Sequence, residues 1–283
     1  MGTRFLPLTK VAPKEMLPVG EVPALQMVIE EAVGAGIETI VIVNHPSKTP
    51  VEQYFAPAPD LLDELERAGK TELAERLHRL DRFDVRFVHQ ERPLGLGHAV
   101  GMARDVVGDQ PFAVLLPDEI MGNSGLLAAM LDGAAQSNGS VIAVKEVPRD
   151  QVSSYGVVAP SGPLDGVMLP VGNLVEKPPV DQAPSNYIII GRYVCTAEVM
   201  TEIGRLTPGA GGELQLTDAL KAVCGYQPFH ALVGDLLPGG LARYDTGSPA
   251  GWLEAVIEVS LANPRLGPAL RDLISRIAAR EGL

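Results

Sequence analysis

Short runs of apolar, mostly β-branched residues alternate with segments of helical periodicity along most of the chain. Runs typical of buried strands occupy residues 39–44, 85–90, 112–119, 140–147 and 186–194. Helical segments between them include residues 23–36, which begin at Pro23 and end in glycines, and residues 60–80. The alternation predicts an α/β fold with a mostly parallel central sheet and helices on both faces. In such folds ligands bind beyond the carboxyl ends of the strands.

The pattern changes after the first half of the chain. Residues 148–186 are rich in proline, glycine and short apolar runs, which favours a β-rich insertion. From Ser248 the sequence predicts two helices, separated at Asn263-Pro264. We expect a single domain over residues 1–283, with subregions at residues 1–147, 148–247 and 248–283.

Composition excludes several classes of protein. The 283 residues are 46% hydrophobic, enough for a sizeable core, but no run approaches the roughly 20 apolar residues of a membrane helix. The formal net charge of -12 argues against nonspecific binding of nucleic acid. Cys195 and Cys224 lack metal-ligand spacing and are interpreted as small buried residues. We expect a cytoplasmic protein.

Positive charge is concentrated at the start of this acidic chain. Arg4, Lys10 and Lys14 lie in a proline-containing loop, and the first fourteen residues carry no acidic side chain. Cations held in this way suit a polyphosphate ligand. The alternative is a solvated basic surface, which any one of these residues alone would favour.

Two carboxylates stand where an open α/β sheet binds its ligand. Asp118 follows the apolar run of residues 112–117, and Asp245 precedes the capped C-terminal helices. Together they could hold Mg²⁺, which prefers few protein carboxylates plus phosphate oxygens. The alternative is that either residue only caps a turn. The five histidines show no ligand spacing, and the sequence contains no GxSxG nucleophile motif.

Several short motifs, taken together and in order, resemble those of the bacterial UTP:glucose-1-phosphate uridylyltransferases. They are GTRFLPLTKVAPKEMLPV, GLGHAV, LLPDE, YGVV, LVEKP, APSNYIIIGRYV, GGELQLTDAL and YDTGSPAGW. The resemblance runs through nearly the whole chain. It implies a Rossmann-like nucleotidyltransferase fold, with nucleotide binding in residues 1–147 and sugar binding in residues 148–247. It also implies Mg²⁺-dependent formation of UDP-glucose and pyrophosphate from UTP and glucose 1-phosphate.

The resemblance also implies roles for individual residues. Arg4 and Lys14 would be catalytic, and Asp118 and Asp245 would bind Mg²⁺. The nucleotide would contact Gly2, Thr3, Gln90 and Gly95. The sugar phosphate would contact Gly156, Glu176, Lys177, Gly191 and Glu213.

Two departures from the family pattern modify these expectations. Leu94 stands where relatives often have lysine, so one basic contact near the nucleotide is in doubt. Relatives have an apolar strand ending in AGxGTR, of which only GTR is present, with Met1 at x. On this interpretation we expect a start codon assigned inside the gene, and upstream DNA that encodes the strand. A chain beginning at Met1 should then be inactive and poorly stable, because neighbouring strands would lack a partner.

Other functions remain open on the sequence alone. The nearest chemical alternative is a thymidylyltransferase for glucose 1-phosphate, and an alternative of another class is a noncatalytic nucleotide-sugar-binding homologue. Relatives are usually homo-oligomers. Leu253, Val256, Ile257 and Leu261 could form either core or interface.

Overall fold

The structure, a computed structural model, describes residues 3–122 and 125–282. The strands are β1 (Pro18–Val19), β2 (Val22–Pro23), β3 (Thr39–Asn44), β4 (Asp84–His89), β5 (Phe112–Leu115), β6 (Glu119–Met121), β7 (Ser140–Glu146), β8 (Gly156–Pro160), β9 (Met168–Glu176), β10 (Tyr187–Cys195), β11 (Phe229–Val233) and β12 (Arg243–Asp245).

The helices surround these strands in an α/β arrangement. They are α1 (Ala24–Gly34), α2 (Thr49–Phe55), α3 (Pro59–Arg67), α4 (Thr71–Leu80), α5 (Leu96–Gly101), α6 (Arg104–Val107), α7 (Gly125–Ser137), α8 (Ala197–Ile203), α9 (Leu216–Cys224), α10 (Pro249–Ala262) and α11 (Gly267–Glu281). Short 3-10 helices include Thr3–Phe5, Leu8–Lys10 and Lys14–Met16. The single helix predicted over residues 60–80 is wrong, because Gly69 adopts φ +68° and separates α3 from α4.

The central sheet has six strands in the order β5-β10-β7-β11-β9-β8. Within it only β7 and β11 are parallel, whereas β10 runs antiparallel to β5, β7 and β8. The prediction of a mostly parallel sheet is therefore wrong. A buried strand reads as the same apolar run in either direction, so the sequence pattern did not reveal that β10 is reversed. The sheet combines strands from residues 1–147 with strands from residues 148–247.

Helices cover both faces of this sheet, as predicted. Along β7, Ile142 and Val144 belong to one hydrophobic cluster, while Val141 and Ala143 belong to another. Successive side chains of a strand point to opposite faces, so the two clusters lie on the two sides of the sheet. The first cluster contains residues of α5, α8 and α9, and the second contains residues of α1 and α7.

A large apolar cavity lies between the central sheet and a separate parallel pair formed by β3 and β4. Its volume is about 580 Å³, and its lining includes β3, β5 and residues of α1 and α5. Among the described strands, β3 pairs with β4 alone and β5 with β10 alone. Each of these two strands therefore has one edge without a strand partner in the described residues.

We expect an apolar strand of about six residues, fused ahead of Met1, to stabilise a chain that is produced with Met1 as its first residue. It would pair with the free edges of β3 and β5 and cover the cavity walls, and burying one Val or Leu side chain contributes about 1.5–3 kcal/mol. Urea unfolding should therefore show a gain above about 2 kcal/mol. A fused segment of equal length made of Gly and Ser is the control. Equal stability of the two fusions would contradict the prediction.

The C-terminal residues form the two predicted helices. Ser248 caps α10 by accepting a hydrogen bond from the Gly251 amide at 3.2 Å, and the helix ends at Ala262, with Asn263 as its C-cap. None of the helices in residues 3–122 and 125–282 is long and apolar enough to span a bilayer.

Cys195 is buried, as predicted, and burial raises its pKa to about 12. Cys224 is only half-buried, with its Sγ 3.1 Å from the Val171 carbonyl oxygen.

Candidate active site

The turn after β5 brings the two predicted metal ligands together. Residues 116–119 form this turn, which is closed by a hydrogen bond from the Glu119 amide to the Leu116 carbonyl. The following strand β6 pairs with β12 so that Asp245 lies opposite Glu119. Thr246 then donates from its amide at 2.8 Å and from its hydroxyl at 3.0 Å to the Asp118 carbonyl. This pairing places Asp118 and Asp245 side by side.

Gly247 marks the space between the two carboxylates. A Cβ on Gly247 would lie 2.8 Å from Asp245 Oδ1 and 3.2 Å from Asp118 Oδ2. The same position would be 3.9 Å from Arg4 Nη1, which donates to the Gly247 carbonyl at 3.3 Å. Any side chain at residue 247 would therefore crowd Asp118, Asp245 and Arg4. Gly247 was not predicted as a site residue, although it lies in the YDTGSPAGW motif.

Lys14 reaches the same place from the opening loop. It belongs to a short 3-10 helix, and its Nζ forms an ion pair with Asp118 Oδ2. Both side chains are half-buried, with exposed fractions of 25% and 30%. Arg4, Lys14, Asp118 and Asp245 thus form one cluster, called here the carboxylate centre. Two cations and two carboxylates offer contacts for both a phosphate and a metal ion.

The donor set of the carboxylate centre fits Mg²⁺ bound together with a substrate. Within residues 3–122 and 125–282, no group of three or more His, Cys, Asp or Glu residues could hold a metal ion. Two carboxylates leave coordination positions for phosphate oxygens and water, which is the usual arrangement for Mg²⁺.

An ion pair between Arg243 and Glu119, behind the carboxylate centre, was not predicted. Arg243 stands two residues before Asp245 in the chain. It donates to both carboxylate oxygens of Glu119, at 2.6 and 2.8 Å. The Arg243 guanidinium also lies 5.5 Å from the centroid of the Tyr155 ring. Burial raises the pKa of Glu119, while the Arg243 hydrogen bonds oppose that shift. This bidentate pair ties β6 to β12 and thereby helps to hold the two strands in register.

Three of the residues predicted to contact the sugar phosphate, Gly156, Glu176 and Lys177, lie together at the β8–β9 hairpin and are called here the sugar group. Gly156 pairs with Glu176 in the strand register, and Glu176 Oε2 accepts from the Thr217 hydroxyl at 2.7 Å. A Cβ on Gly156 would lie only 2.9 Å from Ile189 Cδ1 and 3.2 Å from Glu176 Oε2. Thr217 was not singled out, although it belongs to the GGELQLTDAL motif.

Lys177 follows this hairpin with its side chain exposed. Its φ of +45° is unusual for a residue other than glycine, and its amide donates to the Tyr155 carbonyl at 3.0 Å. Its Nζ lies 3.7 Å from Glu176 Oε1, and the Lys177 side chain is 60% exposed. The backbone is thus held by a hydrogen bond while the ammonium group remains accessible to an anion.

Gly191, which is also predicted to contact the sugar phosphate, lies on β10 beside the Asp118 turn. It adopts φ +73° at a bulge in β10, and a Cβ there would lie 3.0 Å from Glu119 Cγ and 3.1 Å from the Leu116 side chain. Its carbonyl accepts from the Leu116 amide at 3.0 Å. Glycine lets β10 approach the Asp118 turn this closely.

The predicted base-contacting residues lie at the glycine-rich turn before α5. Gln90 Nε2 lies 3.3 Å from the Gly95 carbonyl oxygen and 2.8 Å from His98 Nδ1. Gly95 has φ +114°, and a Cβ there would lie 2.6 Å from the Leu214 carbonyl oxygen. Only glycine fits this close contact with Leu214. The contact therefore requires glycine at residue 95, whether or not Gly95 also binds the nucleotide.

Glu213 and Thr3, two further predicted site residues, are exposed. The Glu213 side chain is exposed and accepts a hydrogen bond from Gln215 at 3.0 Å, and among the described residues no contact joins it to the sugar group. Its neighbour Leu214 donates to the Leu94 carbonyl at 2.7 Å. Thr3 is exposed at the first 3-10 helix, and Gly2 lies outside the described residues.

A cation-bearing opening loop, paired carboxylates beyond a strand and a glycine-rich turn define a class of proteins that transfer nucleotides. The family described as "Nucleotidyl transferase" matches residues 1–259 of this chain. UTP–glucose-1-phosphate uridylyltransferase of Bacillus subtilis (strain 168) is 40% identical over 283 residues, which cover 99% of this chain and 95% of the relative. The chain belongs to the UTP–glucose-1-phosphate uridylyltransferase family.

Solved structures give the same family. The UTP-bound UGPase from Acinetobacter baumannii is 38% identical and superposes with a TM-score of 0.86, covering 96% of this chain and 94% of that chain. A UDP-glucose pyrophosphorylase complexed with UDP-glucose is 32% identical with a TM-score of 0.79, covering 93% and 96%.

Proposed function

We propose that the protein transfers the uridylyl group of UTP to glucose 1-phosphate, releasing pyrophosphate and forming UDP-glucose. The observation that carries this proposal is the convergence of Arg4, Lys14, Asp118 and Asp245 in one cluster at the carboxyl end of β5. The names and ligands of the relatives, UTP in one and UDP-glucose in another, support the choice of substrates.

The proposed reaction is a direct displacement at the α-phosphorus of UTP. An oxygen of the sugar phosphate forms a bond to that phosphorus, and the bond to the bridging oxygen of the β-phosphate breaks. Pyrophosphate leaves with the electron pair. The attacking oxygen is already anionic at neutral pH, so positioning and charge neutralisation matter more than a general base. None of the five histidines is needed as a base.

The protein's own cations have separate proposed roles. Arg4 binds the triphosphate and neutralises the departing pyrophosphate, while Lys14 holds the α-phosphate and the incoming phosphate oxygen. In the structure Lys14 pairs with Asp118, so it would exchange that partner for substrate phosphate. Asp118 and Asp245 would hold Mg²⁺. When bound, this ion neutralises phosphate charge and orients the α-phosphate.

The remaining proposed roles are those of recognition. Gln90 and Gly95, with Gly2 and Thr3, contact the nucleotide. Gly156, Glu176, Gly191 and Glu213 contact the sugar, and Lys177 binds its phosphate. The hydrogen bond from Thr217 to Glu176 supports this arrangement because it fixes the Glu176 carboxylate.

Pyrophosphate release with defined substrates tests the proposal. The purified full-length gene product is mixed with Mg²⁺, glucose 1-phosphate and either UTP or dTTP, and pyrophosphate is measured over time. We expect turnover with UTP at a kcat/KM well above that with dTTP. A preference for dTTP would identify a thymidylyltransferase, and binding of UDP-glucose without turnover would identify a noncatalytic homologue. Either result would overturn the proposal.

Lys177→Met should weaken the use of glucose 1-phosphate selectively. Its exposed ammonium is proposed to contact the phosphate of the sugar in both ground and transition states, and loss of one such charged contact costs about 1.5–3 kcal/mol. The KM for glucose 1-phosphate should rise at least about tenfold, while the KM for UTP stays nearly constant. Steady-state kinetics with each substrate varied in turn provides the measurement. An unchanged KM for glucose 1-phosphate would contradict the assigned role.

A cytoplasmic homo-oligomer is the proposed state of the protein. Exposed apolar residues on α10 and α11 support self-association, namely Leu253, Leu273, Ile274 and Ile277. Val256 packs into the core cluster around Ile120 and Ala255 instead.

A further inference from the structure

A fully buried arginine lies directly beneath the Asp118 turn. Arg192, on β10, is 0% exposed and is one of the largest fully buried side chains among the described residues. Its charge is balanced by Glu31 of α1, which accepts from Nε at 3.0 Å and from Nη2 at 2.7 Å. The bidentate geometry satisfies part of the guanidinium and fixes its orientation.

The rest of the guanidinium holds the two ends of the Asp118 turn. Nη1 donates to the Leu116 carbonyl at 3.2 Å, and Nη2 donates to the Glu119 carbonyl at 2.6 Å. Nη1 also donates to the Gly191 carbonyl of its own strand at 3.0 Å. One rigid planar group thus fixes the residues on both sides of Asp118 and joins them to β10.

We propose that Arg192 is a positioning residue for the metal ligand Asp118. It fixes the backbone of the turn so that the Asp118 carboxylate stands ready beside Asp245. This inference rests on the proposed function of the carboxylate centre. A buried ion pair is weak evidence for a role in stability, because apolar replacements of similar volume are often equally stable. Arg192 also donates hydrogen bonds to three backbone carbonyls, and an apolar side chain could not replace these bonds.

The experiment separates positioning from stability with a paired replacement. Arg192→Met alone leaves Glu31 buried and unpaired, so it should be strongly destabilised. The double variant Glu31→Leu/Arg192→Met removes both charges and should recover most of the melting temperature. Positioning would not be recovered. We expect kcat to remain at least tenfold below that of the unchanged protein, with the KM for glucose 1-phosphate altered less than twofold.

A binding measurement gives a readout that is independent of turnover. Mn²⁺ replaces Mg²⁺ as the probe, and its affinity for the protein–UTP complex is measured by water-proton relaxation without sugar phosphate. The double variant should bind Mn²⁺ at least fivefold more weakly. Arg192→Lys keeps a charge opposite Glu31 but lacks the planar fork, so it should be folded and intermediate in Mn²⁺ affinity.

Arg149→Met is the matched control. Arg149 also holds a loop through backbone carbonyls, donating to Ala183 at 2.6 Å and to Ser185 at 3.1 Å. Its replacement should leave the Mn²⁺ affinity unchanged. Mn²⁺ affinity equal to that of the unchanged protein in a folded Glu31→Leu/Arg192→Met or Arg192→Met variant would overturn the proposal. Failure of the unchanged protein to turn over glucose 1-phosphate would instead count against the proposed function.

Discussion

Replacing Asp118 or Asp245 by asparagine is expected to lower kcat for UDP-glucose formation by at least about a thousandfold. Each carboxylate is proposed to balance the charge of Mg²⁺, and a bound ion would supply several kcal/mol of transition-state stabilisation, where about 1.36 kcal/mol corresponds to a factor of ten. An amide keeps the shape of the side chain but lacks the negative charge. Pyrophosphate release at saturating UTP and glucose 1-phosphate provides the measurement.

The same variants should remain folded. An asparagine Oδ1 at residue 245 can still accept the hydrogen bond from the Gly247 amide, which is 2.8 Å long in the structure. Asp118 is partly solvated beside Lys14, so loss of that ion pair costs about 1 kcal/mol or less. Asp272→Asn, exposed on α11, is the control for a neutralised carboxylate. Substantial activity of either site variant at ordinary Mg²⁺ would refute the metal assignment.

Lys14→Met is expected to lose about a hundredfold or more in kcat while UTP binding changes little. The ammonium is proposed to act on negative charge that shifts as the new phosphorus–oxygen bond forms, so its contribution appears mainly in the transition state. In the free protein its charge is already paired with Asp118, which limits its contribution to ground-state binding. The measurements are kcat from initial rates and the UTP dissociation constant from calorimetry.

The comparison with Lys177→Met makes this prediction sharper. Lys177 should affect mainly the KM for glucose 1-phosphate, whereas Lys14 should affect mainly kcat. Lys70→Met removes an exposed lysine ahead of α4 and serves as the control for a lost positive charge. If Lys14→Met and Lys177→Met show the same kinetic phenotype, the proposed division of roles is wrong.

The positions of most strands follow from the sequence, but their directions do not. The run at residues 39–44 coincides with β3, and the run at 140–147 agrees with β7 within one residue. The apolar pattern reports burial on both faces and carries no information on direction. The apolar pattern does not predict the bulge at Gly191 either, because glycine in a strand is compatible with several backbone conformations.

The site was predicted unevenly for a similar reason. Asp118 could be placed from its position after an apolar strand, and Arg4 and Lys14 from the charge of the opening loop. Arg192 and Arg243 were missed because their partners are distant in sequence: Glu31 and Glu119 lie 161 and 124 residues away. Only the folded chain brings these groups together, and a lone arginine in a sequence reads as a surface charge.

Stereochemistry at the α-phosphorus tests the proposed direct displacement. The protein is supplied with glucose 1-phosphate and a single diastereomer of UTP that carries sulfur on the α-phosphate, and the configuration of the UDP-glucose analogue is determined by ³¹P NMR. A single in-line displacement, with no protein nucleophile, predicts inversion. Retention would require a covalent uridylyl intermediate on the protein, and it would contradict the mechanism assigned to Arg4, Lys14, Asp118 and Asp245.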